Sequence, residues 1–114
     1  MQDCIFCKII SGSIPAKKVK EDQLILVIED IIPQAPVHYL LFPKKHIPTL
    51  MEVEAVDQNI LSDIFLTAKE LAIEKGFADR GFRLVVNCKE DAGQAVFHIH
   101  FHLLAGRPMK WPPG

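Results

Sequence analysis

Three histidines, His98, His100 and His102, take alternate positions in residues 97–104. As an extended strand, the stretch presents the three imidazoles on one face and Phe97, Ile99, Phe101 and Leu103 on the other. The apolar face suits a core. The opposite face would hold the imidazoles within roughly 13 Å, at about 3.3 Å of rise per residue. Imidazole exchanges its proton near neutral pH, acts as a nucleophile and is the commonest metal ligand. Folding alone does not ask for three of them side by side.

Two chemistries suit such a row. One is a metal centre, although three ligands along one flat strand fit a tetrahedral ion poorly. The other is nucleophilic attack on phosphorus, where a neutral imidazole attacks while its neighbours hold the anion and set its tautomer. Gly93, in Asp91-Ala92-Gly93-Gln94-Ala95, leads into the histidines and favours the second. A glycine lets backbone N–H groups approach an oxyanion, although the same glycine also suits an ordinary hairpin turn. A second cluster is Cys4-Ile5-Phe6-Cys7. On a short helix its spacing puts both sulfurs on one side, half of a tetrahedral site, with two small apolar cysteines as the plain alternative.

The elements that must position these groups follow from patterning. Asp3 to Ile10 reads as a short helix capped by Asp3 and stopped at Ser11-Gly12-Ser13. Residues 18–20 and 24–28 read as a hairpin whose second strand, Leu-Ile-Leu-Val-Ile, is apolar enough to be buried on both faces. A loop with Pro33 and Pro36 precedes a strand over 37–42. Ile60, Leu61, Ile64, Phe65, Ala68, Leu71 and Ala72 form one stripe of a long helix over about 53–75, with Gly76 as its left-handed cap. A strand over 82–87 and the histidine strand follow. The order predicts an α+β domain: an antiparallel sheet of about five strands, one long and one short helix, and the helices packed on one face. Residues 1–114 read as one domain, with 106–114 as a C-terminal tail carrying the only tryptophan, Trp111.

Composition excludes several classes. Hydrophobic residues make up 49% and charged residues 24%, and the net charge is −1 with no basic block, which argues against a nucleic-acid binder. No run approaches the roughly 20 apolar residues of a membrane span, and the start lacks the pattern of a signal peptide. A cytoplasmic protein with no membrane partner is expected. The three cysteines, Cys4, Cys7 and Cys88, then read as free thiols or metal ligands. Cys88 shows no role.

His98-Ile99-His100-Phe101-His102-Leu103-Leu104 resembles the His-φ-His-φ-His-φ-φ signature of the histidine triad (HIT) superfamily. The stretches 30–38, 43–47, 85–87 and 106–114 resemble its nucleotide-binding branch, so the likeness covers essentially the whole chain. The resemblance implies hydrolysis of purine nucleoside 5′-monophosphoramidates through a nucleotidyl-histidine. His100 would be the nucleophile, His102 the phosphate and leaving-group contact, and His98 and His38 supports. Asp30 would accept bonds from the ribose diol, for which two carboxylate oxygens suit two donors; otherwise it is a turn-forming residue. Asn87, Gly93, Gln94 and Ala95 fall beside ribose and phosphate. Ile5, Phe6, Ile9, Ile28 and Ile31 would line the purine slot.

The branch often has serine where this chain has Ala95, a lost donor that can cost roughly 10²–10³ in rate where it is central. Part of the family completes the Cys-x-x-Cys site with residues matching His46 and His98, which implies a structural zinc on Cys4, Cys7, His46 and His98. No cofactor is implied for the chemistry. The resemblance further implies a homodimer whose tail, with Trp111, reaches the neighbour's site, and AMP or GMP as the nucleotide. A dinucleoside polyphosphate hydrolase and a low-turnover nucleotide-binding or interaction module are the alternative functions.

Overall fold

The computed structural model describes residues 3–114. Its elements are α1 (Ile5–Ser11), β1 (Lys18–Glu21), β2 (Ile25–Glu29), β3 (Val37–Pro43), two 3₁₀ turns (Leu50–Glu52 and Ala55–Asp57), α2 (Gln58–Glu74), β4 (Phe82–Val86) and β5 (Phe101–Ala105). The five strands form one antiparallel sheet in the order β1-β2-β3-β5-β4. The α+β class, the five strands and the two helices agree with the sequence. No helix among the described residues is long and apolar enough to cross a membrane.

The helices do not share a face, contrary to expectation. The strand registers explain why. On one face Ile25, Val27, Leu41, Phe101, Leu103 and Ala105 meet Ile60, Ile64, Ala68, Leu71 and Ala72 of α2. On the other, Leu26, Ile28, Leu40 and Phe42 meet Phe6 and Ile9 of α1. Each apolar run of β2 and β3 feeds both layers, so neither face of these two strands can be left to water. Phe6 lies flat on Phe42, with ring centroids 4.4 Å apart. The α1 layer stops at β3. His102 of β5 and Val85 of β4 are paired residues on that same face, beyond the reach of α1.

Other boundaries shift for local reasons. The Cys4 sulfur, rather than Asp3, caps α1 by accepting from the Cys7 amide. The long helix starts five residues later than predicted, at Gln58. Thr49 and Glu52 close a capping box on the first 3₁₀ turn, and Asp57 draws its carboxylate back to the Glu54 amide and Lys45. Such side-chain bonds compete with helix propagation. Gly76 does take the left-handed conformation after α2. Phe65 leaves the predicted stripe and is exposed, its ring meeting only the edge of Phe101. The histidine strand is shortened most: β5 begins at Phe101, so His98 and His100 precede it, and Phe97, expected in the core, is 52% exposed.

Ile64 and Leu71 are fully buried at the contact between α2 and the sheet. Ile64→Ala is expected to cost about 2–5 kcal/mol in chemical denaturation, while Phe65→Ala costs under about 1 kcal/mol.

Candidate active site and metal cluster

The late start of β5 divides the three histidines. His98 is fully buried. Its Nε2 lies 2.7 Å from the Pro43 carbonyl, which can only accept, so the proton sits on Nε2 and Nδ1 keeps its lone pair. That lone pair faces Cys4 Sγ at 3.3 Å, Cys7 Sγ at 3.6 Å and His46 Nδ1 at 3.2 Å, and Cys7 Sγ lies 3.3 Å from His46 Nδ1. A tetrahedral ion with bonds of about 2.3 Å to sulfur and 2.0–2.1 Å to nitrogen has donor–donor edges of about 3.3–3.8 Å. The four distances given lie close to that spacing, all four donor atoms lie within 4.8 Å of one another, and the cluster could hold a metal ion. Burial and the neighbouring Cys4 sulfur push the Cys7 thiol above its ordinary range, which a cation between the donors would reverse.

His100 faces the other way. Its Nδ1 lies 2.9 Å from the His98 carbonyl, so Nδ1 carries the proton and Nε2 the free lone pair. It is buried against Phe6, edge to face at 5.1 Å. Burial lowers its pKa, opposed by the His98 carbonyl and Asp30. His100 is therefore a neutral imidazole with a lone pair at Nε2.

His102 takes its proton assignment from two residues away in the fold. The Gln34 amide donates to His38 Nδ1 at 3.0 Å, which leaves the His38 proton on Nε2. That Nε2–H meets His102 Nδ1 at 2.9 Å, with Asp30 Oδ2 at 3.3 Å as a second acceptor. His102 must then carry its own proton on Nε2. Asp30, His38 and His102 also form a metal-like triplet. However, an ion on His38 Nε2 would force a proton onto Nδ1, against the Gln34 amide. The triplet is a proton-ordering chain. Burial first, then the crowding of His100 and His38, which disfavours a further proton, lowers the His102 pKa to about 4 against the opposing Asp30.

The remaining predicted residues divide. Asp30 fills its turn role, Oδ1 accepting from the Ile32 amide at 2.8 Å, while Oδ2 faces His38. Asn87 lies with His38 and His102 around a cavity of about 600 Å³. Gly93 has φ +77°, but its amide and that of Gln94 turn inward to Glu90 and Lys89. The Gln94 side chain is buried and braces the loop, accepting from the Lys89 amide and donating to the Pro48 and Val96 carbonyls. Ala95 is exposed beside Cys4, Ile5 and His46, on the side of the metal cluster. Phe6, Ile9 and Ile28 pack together under the site, Ile5 sits at the edge, and Ile31, 92% exposed, points to water. Trp111 is 83% exposed. Sequence reasoning missed the Gln34 amide and the Pro43 carbonyl, because backbone groups leave no mark on residue type.

The HIT domain model matches residues 11–109. The chain belongs to the HIT domain family. An uncharacterized HIT-like protein of Synechocystis is 50% identical over 99% of this chain and 98% of its own length. The crystal structure of a HIT family hydrolase from Legionella pneumophila superposes with a TM-score of 0.96 at 52% identity, covering 98% of this chain and all of that one. A histidine triad nucleotide-binding protein from Candida albicans superposes at 0.81 with 32% identity, covering 95% and 85% of the two chains. This HIT chain therefore places its triad on a backbone shared with solved relatives.

A histidine buried in neutral form makes stability fall as acid charges the unfolded chain. For His102 this contribution is intact above about pH 6.5 and is lost as pH falls towards about 4. Asp63, raised to about 6 by burial and by Asp22, acts in the opposite sense, so a difference measurement isolates the histidine. His102→Gln is expected to lose less denaturant stability than the wild type between pH 6.5 and 4; equal losses would contradict the assignment.

Proposed function

We propose that this HIT protein hydrolyses purine nucleoside 5′-monophosphoramidates at the P–N bond, releasing a nucleoside monophosphate such as AMP or GMP and an amine. The observation that carries the reading is the bond from His100 Nδ1–H to the His98 carbonyl, which leaves Nε2 a lone pair at neutral pH. Nε2 attacks the α-phosphorus and a phosphorus–nitrogen bond to His100 forms as the bond to the amine breaks. The amine must leave protonated; the proton comes from solvent, while the neutral His102 Nε2–H hydrogen-bonds the phosphate and the departing nitrogen. Water then cleaves the nucleotidyl-histidine, returning His100 and the nucleoside monophosphate. Asp30 Oδ2 accepts from the ribose diol. Phe6, Ile9 and Ile28, with Ile5 and Ile31 at the rim, supply the apolar ground for the base. Asn87 holds the ribose–phosphate side. Gly93 and Gln94 shape the loop, so backbone contacts to the phosphate come from Ala95 onward.

Cys4, Cys7, His46 and His98 would hold a structural zinc, which suits two thiolates and two imidazoles at tetrahedral spacing. Bound zinc would join α1 to the segment that presents the His98 carbonyl, and no step of the reaction needs a cofactor. The chain acts as one domain over 1–114 and as a homodimer. The exposed apolar Phe65, Leu66 and Ile73 of α2, and Trp111 in the tail at 106–114, support an apolar partner surface. Three free thiols suit a reducing compartment such as the cytoplasm.

Incubation with an α-labelled adenosine phosphoramidate should leave label on His100, and His100→Ala should lower kcat/KM by at least about 10⁴-fold. Turnover by His100→Ala at the wild-type rate would sink the mechanism. Elemental analysis should find one zinc per chain, lost together with several degrees of Tm in Cys4→Ala; a zinc-free wild type of unchanged Tm would remove the metal from the account.

A further inference from the structure

The purine ground lies over β2 and β3, where α1 packs, while the attacking imidazole precedes β5. In the proposed reaction, with the base on the α1 side, the leaving group departs on the opposite side, over β5 and β4. There no helix covers the sheet face, and the cavity of about 600 Å³, walled by the tail and continuous with His38 and Asn87, stands on His102, Leu104, Val85 and Arg83. The β4–β5 register sets Arg83 opposite Leu104 and Val85 opposite His102, so Arg83 shares the face of His102 one pair further along. Arg107 and Lys110 stand at the wall. Both arginines are tied to backbone carbonyls: Arg83 donates to the Lys110 carbonyl at 3.1 Å, and Arg107 to the Gln34 carbonyl at 2.9 Å and the Pro108 carbonyl at 3.1 Å. Neither arginine nor Lys110 has a carboxylate within 4.0 Å among the described residues. No Asp or Glu side chain lines the cavity, whose lining includes Gly114, while Asp91 lines an adjoining cavity that shares Arg83.

We propose that this face is the leaving-group subsite, and that Arg83 and Arg107, with Lys110, select leaving groups carrying their own negative charge. The proposal rests on the displacement at His100 described above. A guanidinium keeps five donors in a rigid fork, and a carbonyl engages only one or two of them. Anchoring to backbone fixes each fork in advance without neutralising it, so a carboxylate or phosphate on the departing group meets pre-oriented donors. An amine carrying a second ammonium would meet three like charges. Arg83, whose strand position is fixed by the sheet, sets specificity more firmly than the exposed Lys110.

The test uses three adenosine 5′-phosphoramidates that share the P–N bond and differ in the amine: an amino acid linked through its α-nitrogen, a simple alkylamine and a diamine. The wild type should prefer the carboxylate-bearing substrate over the diamine. Arg83→Gln and Arg107→Gln should each lower that kcat/KM ratio about tenfold, the value of one charge-assisted bond, while Arg83→Lys retains most of it. Calorimetry supplies a readout independent of turnover: ADP, whose β-phosphate enters the subsite, should bind more tightly than AMP, with the advantage reduced in both glutamine variants. A carboxylate preference without an ADP advantage would assign the site to carboxylates, the reverse to phosphates. Equal ratios in wild type and both variants, or a preference for the diamine, would overturn the proposal. If no phosphoramidate is cleaved and His100 takes no label, the hydrolase reading fails; an ADP advantage reduced in both glutamine variants would then still support an anion subsite, and equal binding of ADP and AMP by the wild type would overturn it.

Discussion

The site depends on one backbone carbonyl, that of His98, accepting the Nδ1 proton of His100. A neutral imidazole has one proton for two nitrogens, and only the bare nitrogen can attack. A carbonyl cannot donate, so this bond decides the tautomer of the neutral ring without any ionisable partner. The carbonyl is free because β5 has not yet begun. Within a ladder it would be committed to a neighbouring strand, but the pairing with β3 and β4 starts at Phe101. The late start of the strand is therefore part of what sets the His100 tautomer.

The same principle repeats on either side. The Pro43 carbonyl fixes the proton of His98 and turns its lone pair to the two cysteines and His46. The Gln34 amide fixes His38, which in turn fixes His102. Of three imidazoles that look equivalent in a row, His98 and His102 thus keep the proton on Nε2 and His100 on Nδ1, set by backbone groups from different segments. The His98 residue joins the two clusters: its side chain belongs to the four-donor group and its carbonyl accepts the Nδ1 proton of His100. Holding that side chain holds the carbonyl, which gives the Cys-x-x-Cys helix a physical connection to His100, 2 residues along the chain.

Much of this was legible in the sequence because it is written in residue type and period. The five strands and two helices follow from apolar runs and stripes, and the His-x-His-x-His and Cys-x-x-Cys spacings mark both clusters. What the sequence hid is of other kinds. The two-sided burial of β2 and β3 leaves open which face each helix covers, so α1 and α2 were assigned to one face and lie on opposite ones. Alternation over 97–104 is the pattern of a strand, yet Phe97 is exposed and only the last part pairs, because the segment first bends to bring His98 to α1. Gln94 looks like a ligand-facing polar residue and is instead a buried brace, a distinction that depends on the Pro48 carbonyl across the fold.

The central claim is the proton assignment, and ¹⁵N NMR of the imidazole side chains in the wild-type protein near pH 7.5 reads it directly. The account predicts that His100 carries its proton on Nδ1 with Nε2 bare, while His98 and His102 carry theirs on Nε2. A His100 protonated at Nε2, or charged at that pH, would contradict it.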